Sequence, residues 1–268
     1  MLTVGAAAGP RAKLQLNGVS RHFGAVQALA KVDLGIAEGE FVTLIGPSGC
    51  GKSTLFNIVA GLLEADKGGE VLLDGAAASL LGKVAFMPQR DLLLPWRNVL
   101  DNAILAAEIE GQPKRAARET ARSMAADFGL KGFEGHYPQQ LSGGMRQRVA
   151  LMRTFMFDRD VMLLDEPFGA LDALTRAMMQ RWLLDIWSRY RRTILFITHD
   201  IDEAIFLGDR VVVVMSARPG SIKLERRIEL PRPRDPALLT TPEFNAIKRE
   251  LLDAVEEESL KTFAAGAV

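Results

Sequence analysis

Residues 41–56 run from an apolar strand through a glycine-rich turn into a helix. The turn, Gly46-Pro-Ser-Gly-Cys-Gly-Lys-Ser53, satisfies the pattern G-x-x-x-x-G-K-[ST]. No other stretch constrains the fold as tightly. Such a loop works only between a β-strand (41–45) and the start of a helix (apolar over 55–63), which commits the chain to an α/β architecture. Gly46, Gly49 and Gly51 admit backbone angles closed to other residues, so consecutive N–H groups can turn inward as an anion nest. The helix opening near Lys52 adds about half a positive charge at the same point. Lys52 is placed to reach the β and γ phosphates of a nucleotide, the Ser53 hydroxyl to ligate Mg²⁺, and Thr54 to lie near the α phosphate. Pro47, Ser48 and Cys50 occupy the variable positions. Cys50, the only cysteine, reads as a small filler whose alkylation would obstruct nucleotide by bulk alone.

The chain is long enough, at 268 residues, for one large α/β domain or one with an inserted subdomain. Its 33 basic and 33 acidic side chains leave no net charge, which argues against nucleic acid as the main partner. Arg191-Arg192 and Arg226-Arg227 read as solvated faces. A single cysteine excludes a disulfide framework and fits a reducing cytoplasm. Residues 1–10 are small and apolar without a basic start, as in a frayed tail rather than a signal peptide. No run approaches the roughly 18 apolar residues of a membrane span, so any membrane role must pass through a partner.

Over 12–38 apolar and polar residues alternate, as in antiparallel strands with one wet face. Phe23 follows there, in a turn where it could be a core aromatic or a ring that stacks on adenine. Strands are predicted over 70–73 and 83–88, the second delivering Gln89. Leu92-Leu-Leu-Pro-Trp96 is then either an exposed apolar contact or a loop folded on the core. From 98 to about 130 the pattern is helical, with Val99, Ile104 and Ile109 on one side and a break at Gly111-Gln-Pro113. Leu141-Ser-Gly-Gly-Met-Arg-Gln-Arg148 leads into a helix over 149–157, a second Ser-Gly helix opening with the physics of an anion site.

Val161-Met-Leu-Leu-Asp-Glu166 is a buried strand ending in two carboxylates. Asp165 suits Mg²⁺, and Glu166 suits orienting or deprotonating a water. A helix spans 173–189 and a strand 193–198, ending at His199, where an imidazole could meet a γ phosphate or simply terminate a strand. Asp200 and Glu203 suggest a helix cap. Residues 209–216 and 220–230 read as closing strands, 231–236 as a rigid proline linker, and 242–260 as a last amphipathic helix opened by Thr241-Pro242.

This order of motifs resembles the nucleotide-binding ATPase subunits of ABC transporters. The resemblance rests on the loop 46–54, Gln89, Leu141-Ser-Gly-Gly-Met-Arg-Gln, Asp165-Glu166, Ala170-Leu-Asp172 and His199, and it covers about 14–230. It implies an ATPase core with a mainly parallel sheet, an antiparallel β subdomain and an inserted α-helical subdomain: an ATPase domain over 12–230, a helical insert over about 90–157, and a short C-terminal linker and helix over 231–268. By that resemblance Phe23 stacks on adenine, Gln89 links Mg²⁺ and the attacking water to a membrane partner, Glu166 is the base and His199 senses the γ phosphate. Ser142, Gly143 and Gly144 would contact ATP bound on a second copy, and Asp172 would belong to a loop crossing that dimer.

Leu92–Trp96 followed by Arg97-Asn-Val99, together with Asp165-Glu-Pro-Phe-Gly-Ala-Leu-Asp172 and the short tail after Arg234, is similar to bacterial importers of nitrate, sulfonate, taurine and related solutes. Such a homodimer would sit on the cytoplasmic face of the inner membrane beneath permease subunits fed by an external solute-binding protein. Arg159, where many relatives have proline, reads as a surface change. An exporter subunit, a soluble ABC ATPase acting on ribosomes or DNA, and a phosphate-loop kinase are the rival readings. The last would leave Ser142-Gly-Gly144 unexplained.

Overall fold

The structure is a computed structural model in which residues 12–77, 79–169, 171–214 and 219–264 are described. In chain order, β1 (Ala12–Phe23) and β2 (Val26–Ala37) form a long antiparallel pair, and β3 (Phe41–Ile45) and α1 (Lys52–Val59) flank the glycine turn. Next come β4 (Glu70–Leu73), β5 (Ala76–Ala77) and β6 (Ala85–Met87). A helical segment contains α2 (Val99–Ala103), α3 (Leu105–Ile109), α4 (Lys114–Ala125) and α5 (Gly143–Met156). The chain continues through β7 (Val161–Asp165), α6 (Ala173–Tyr190), β8 (Thr193–Ile197), α7 (Ile201–Leu207), β9 (Arg210–Val214), β10 (Ile222–Arg227) and α8 (Pro242–Ala264).

The strands form two sheets. One is antiparallel, in the order β2-β1-β4-β5; the other runs β10-β9-β3-β8-β7-β6 and is parallel except at its β10 edge. Every residue of β3, β7 and β8 is buried, as expected of parallel strands covered on both faces. In the antiparallel sheet the alternation read from sequence holds: Leu14, Leu16, Val19, Leu29, Val32, Leu34 and Ile36 are buried against α1 and the parallel sheet. A second core joins the helical segment to the other face of that sheet, around Phe41, Phe168, Trp187 and Phe196. No helix among the described residues is long and apolar enough to cross a membrane.

The structure departs from sequence expectation where a local device resets the pattern. α1 stops at Val59, before 63, because Gly61 turns the chain at φ 73°, where a Cβ would lie 2.4 Å from the Leu81 nitrogen. The expected pair of helices over 98–130 is three, broken at Ile104. The break shifts the helical phase, so Ile109 is 78% exposed rather than turned inward with Val99 and Ile104. α5 begins at Gly143 rather than 149, since Ser142 caps it.

Residues 231–236 are not a free spacer. The Arg234 guanidinium is buried and donates to the Gly208 carbonyl (2.9 Å), and Arg232 donates to Asp209 (2.8 Å) while lying over the Trp187 ring. α8 inserts Phe244, Ile247 and Leu251 into the core and ties Lys248 to Asp202 at 2.7 Å. Two of the arginines read as solvated are paired, Arg192 with Asp158 and Asp160, Arg226 with Glu250. Arg159 is likewise engaged, with Glu110, the Gly82 carbonyl and the Phe157 ring. The expectations for residues 1–10 and for Met215 and Ser216 lie outside the described residues.

Candidate active site

The sheet order explains how residues distant in sequence meet. In the row β3-β8-β7-β6, all parallel, the carboxyl ends face one way, where open α/β sheets bind their ligands. β3 delivers the glycine loop, β8 His199, β7 Asp165 and Glu166, and β6 Gln89. There a cleft of about 550 Å³ is lined by Phe23, Ser48, Gly49, Lys52, Ser53, Thr54, Gln89, Glu166 and His199, among others.

The loop is built for an anion. Gly51, at φ 97°, caps α1 with no side-chain hydrogen bond, so no side chain claims the helix's first amides. A Cβ at Gly51 would lie 2.6 Å from Leu29 Cδ2, so only glycine keeps the loop against β2. The Lys52 side chain is buried, and its ammonium donates to the carbonyls of Gly46 (2.6 Å) and Pro47 (3.0 Å), contacts that a phosphate can replace. Gly220 seals the loop from beneath: a Cβ there would lie 1.8 Å from the Cys50 carbonyl oxygen.

Asp165 is buried behind Ser53, whose hydroxyl bonds its carboxylate. Burial first, then the Glu166 charge, raise the Asp165 carboxyl above its ordinary range, against Ser53, Lys52 and His199. An acid whose ionised form is disfavoured in this way gains from a nearby cation. Among the described residues no three His, Cys, Asp or Glu side chains form a metal cage. One carboxylate and a hydroxyl, Asp165 and Ser53, together with substrate phosphates are the ligands a small hard cation takes. The residues present therefore fit Mg²⁺ with ATP.

Glu166 follows β7 with φ 48°, an uncommon angle for a residue with a side chain, and its N–H donates to the Ile197 carbonyl (3.0 Å). Its carboxylate accepts from Gln89 Nε2 at 3.0 Å through one oxygen and pairs with His199 Nε2 through the other. A carboxylate gripped on both sides at the cleft wall suits orienting a water.

Not every sequence candidate reaches the cleft. Phe23, ambiguous in the sequence, is 48% exposed on the cleft wall under the Arg21 guanidinium, which rules out a core role. Cys50 is 1% exposed and, like Gly46 and Pro47, does not line the cleft; its thiol lies beneath the loop near Lys52, out of reach of a nucleotide or an alkylating reagent. Ser142, Gly143, Gly144 and Asp172 do not line it either. The Ser142 hydroxyl accepts from the Met145 N–H (3.2 Å). Asp172 caps α6 by accepting from the Thr175 N–H at 3.0 Å, a bond that leads in holding its carboxyl below the usual range.

Val26 and Ala28 line the cleft unanticipated; only their place on the alternating β2 could have marked them. Two further residues were missed. Buried Asn102 holds the Leu94 backbone through both its N–H (2.8 Å) and carbonyl (3.2 Å), and Arg153 of α5 donates to the carbonyls of Asp91 (2.7 Å) and Leu92 (2.8 Å). The segment after Gln89 is thus fixed to the helix opened by Ser142.

The family model described as ABC transporter matches residues 29–169. An uncharacterized ABC transporter ATP-binding protein of Methanocaldococcus jannaschii is 44% identical over 94% of both chains. The aliphatic sulfonates import ATP-binding protein SsuB of Bacillus cereus is 42% identical over 92% of this chain and 97% of its own. Among solved structures, a dimeric bacterial ABC transporter cassette superposes with a TM-score of 0.73 at 30% identity, over 81% of this chain and 99% of that one. The same cassette in a post-hydrolysis state bound to ADP and Pi gives 0.72 at 30% identity, with the same shares covered. The chain belongs to the ATP-binding subunits of ABC transporters, enzymes that couple ATP hydrolysis to transmembrane transport.

Proposed function

We propose that two copies of this chain clamp ATP and Mg²⁺ between them and so drive a permease that imports a small organic anion, with an aliphatic sulfonate as the leading class. The carrying observation is the cleft itself, where Lys52 and Ser53 face a Glu166 carboxylate gripped by Gln89 and His199. In this reading the glycine loop and Lys52 hold the phosphates, and Phe23 stacks on the adenine. Ser53, Asp165 and Gln89 would hold Mg²⁺, which would supply positive charge against the phosphates. Glu166 takes the proton of the attacking water, and His199 senses the γ phosphate. Ser142, Gly143, Gly144 and Asp172 complete the partner copy's site across a two-fold axis, a role that needs no place in the lining of their own chain's cleft. The likeness to SsuB supports the solute class.

Permease docking falls to the segment after Gln89 and to an apolar hollow of about 220 Å³ lined by Phe86, Leu105, Ile109 and Phe157. Leu92 is 57% and Trp96 71% exposed, whereas Leu93 packs on the core. The complex would work at the cytoplasmic face of the membrane, fed by an external solute-binding protein. The test is reconstitution with the permease and binding protein. Sulfonate-loaded binding protein should stimulate ATPase activity, and Leu92→Ser with Trp96→Ser should abolish that stimulation while leaving nucleotide binding intact. Unchanged stimulation in the double variant would reject the docking surface, and stimulation without solute would reject the importer reading.

A further inference from the structure

A second polar cavity, of about 460 Å³, lies where α6 ends against the proline segment, and its charge is unbalanced. Arg181, Arg191, Arg232 and Arg234 line it with one carboxylate, Asp185. Asp209 pairs with Arg232, but among the described residues neither Arg181, whose Nε donates to the Ala177 carbonyl (3.4 Å), nor Arg191 forms an ion pair. Arg234 is 6% exposed; its two terminal nitrogens are met by the carbonyls of Leu230, Pro231 and Gly208, and its Nε has no partner. Burial and the neighbouring Arg232 charge push its guanidinium down to about 10, against the Asp209 charge, so the carboxylates nearby only partly offset the four guanidinium groups. The Arg191 and Arg232 guanidinium groups both lie over the Trp187 ring, at 4.7 and 4.3 Å from its centre, which helps hold them in place.

From the four guanidinium groups around one cavity, two without an ion pair and one buried, we propose that this cavity is a binding site for a small solute bearing a tetrahedral oxyanion, a sulfate, phosphate or sulfonate group. Guanidinium groups match such oxygens with paired, charge-assisted hydrogen bonds, which makes arginine rather than lysine the fitting lining. Arg181 and Arg191 would close on the anion from α6 and its C-terminal cap, and Arg232 from the proline segment. The site is separate from the ATP cleft, with which it shares no lining residue. It would tie the C-terminal segment to α6, whose other end starts at Asp172.

The test is titration calorimetry on the full chain with its glycine loop filled by a non-hydrolysable ATP analogue. Sodium sulfate, inorganic phosphate and methanesulfonate are added in turn at fixed ionic strength, with chloride as control. At least one oxyanion should bind with one site per chain, and Arg181→Ala with Arg191→Ala, both exposed and outside the core, should weaken it at least tenfold. Lysine at both positions should restore part of that loss. Tighter binding of methanesulfonate than of the inorganic ions would mark an organic sulfonate as the occupant, and the reverse order a free inorganic ion. Affinity unchanged within twofold in the double alanine variant, or no binding beyond chloride, would overturn the proposal.

Discussion

Two helices open on glycine-rich turns, and they open differently. α1 starts at Gly51 with a left-handed backbone and no side-chain cap, inside a cleft with Lys52 beside it. α5 starts at Ser142 with an extended backbone and its hydroxyl on the Met145 N–H, and Ser142 is not among the residues that line that cleft. The first has no side-chain acceptor on its opening amides; the second has one of them, the Met145 N–H, held by its own serine. Similar sequence chemistry thus gives two different helix openings, and the proposed two-copy site assigns them different tasks, the first holding phosphate and the second reaching it from the partner copy.

The largest effect expected concerns neither turn but the carboxylate on the cleft wall. Glu166→Gln should lower ATP turnover at least a hundredfold, about 2.7–4 kcal/mol of transition-state stabilisation, with nucleotide affinity kept; steady-state hydrolysis and equilibrium binding of a fluorescent ATP analogue report the two separately. Gly51→Ala comes next. Its Cβ would strike Leu29 and the left-handed angle is strained, so ATP affinity should fall at least tenfold, about 1.4 kcal/mol, in the same binding assay.

Ser142→Ala sharpens the contrast. Losing the cap should cost about 1 kcal/mol of stability in a urea melt and leave ATP binding to the single chain unchanged, while hydrolysis falls. Equal loss of affinity in the Gly51 and Ser142 variants would erase the distinction between the turns.

The smallest effect is a pH dependence. Burial raises the carboxyl of Glu203, which bonds Gln180 and Thr198, above its ordinary 4.5. The folded chain therefore holds that proton at pH values where the unfolded chain has lost it. Stability contributed by this group falls as pH rises from 4.5 through the raised value. Glu203→Gln should flatten that slope in melts taken across mildly acidic pH, by about 1 kcal/mol or less.

The parallel core and most of the cleft were legible because their signals are local: a loop motif after β3, carboxylates ending β7, an imidazole ending β8. What stayed illegible depends on partners distant in sequence. Nothing near Phe23 says that β1 ends at a cleft wall, and nothing near Cys50 says that Gly220 covers it. Residues 231–236 read as a spacer because prolines dominate them locally, yet buried Arg234 and the Arg232–Asp209 pair fasten them to the sheet domain. The turn of helical phase at Ile104 likewise needs the packed helices to be seen.

The account stands or falls on whether nucleotide joins two copies. Sedimentation velocity of the Glu166→Gln protein, alone and beside its permease, should show the 29.3 kDa chain doubling in mass with saturating Mg-ATP, and not with Mg-ADP. The added Ser142→Ala change should weaken that doubling. A species that stays single with Mg-ATP under both conditions would contradict the shared site.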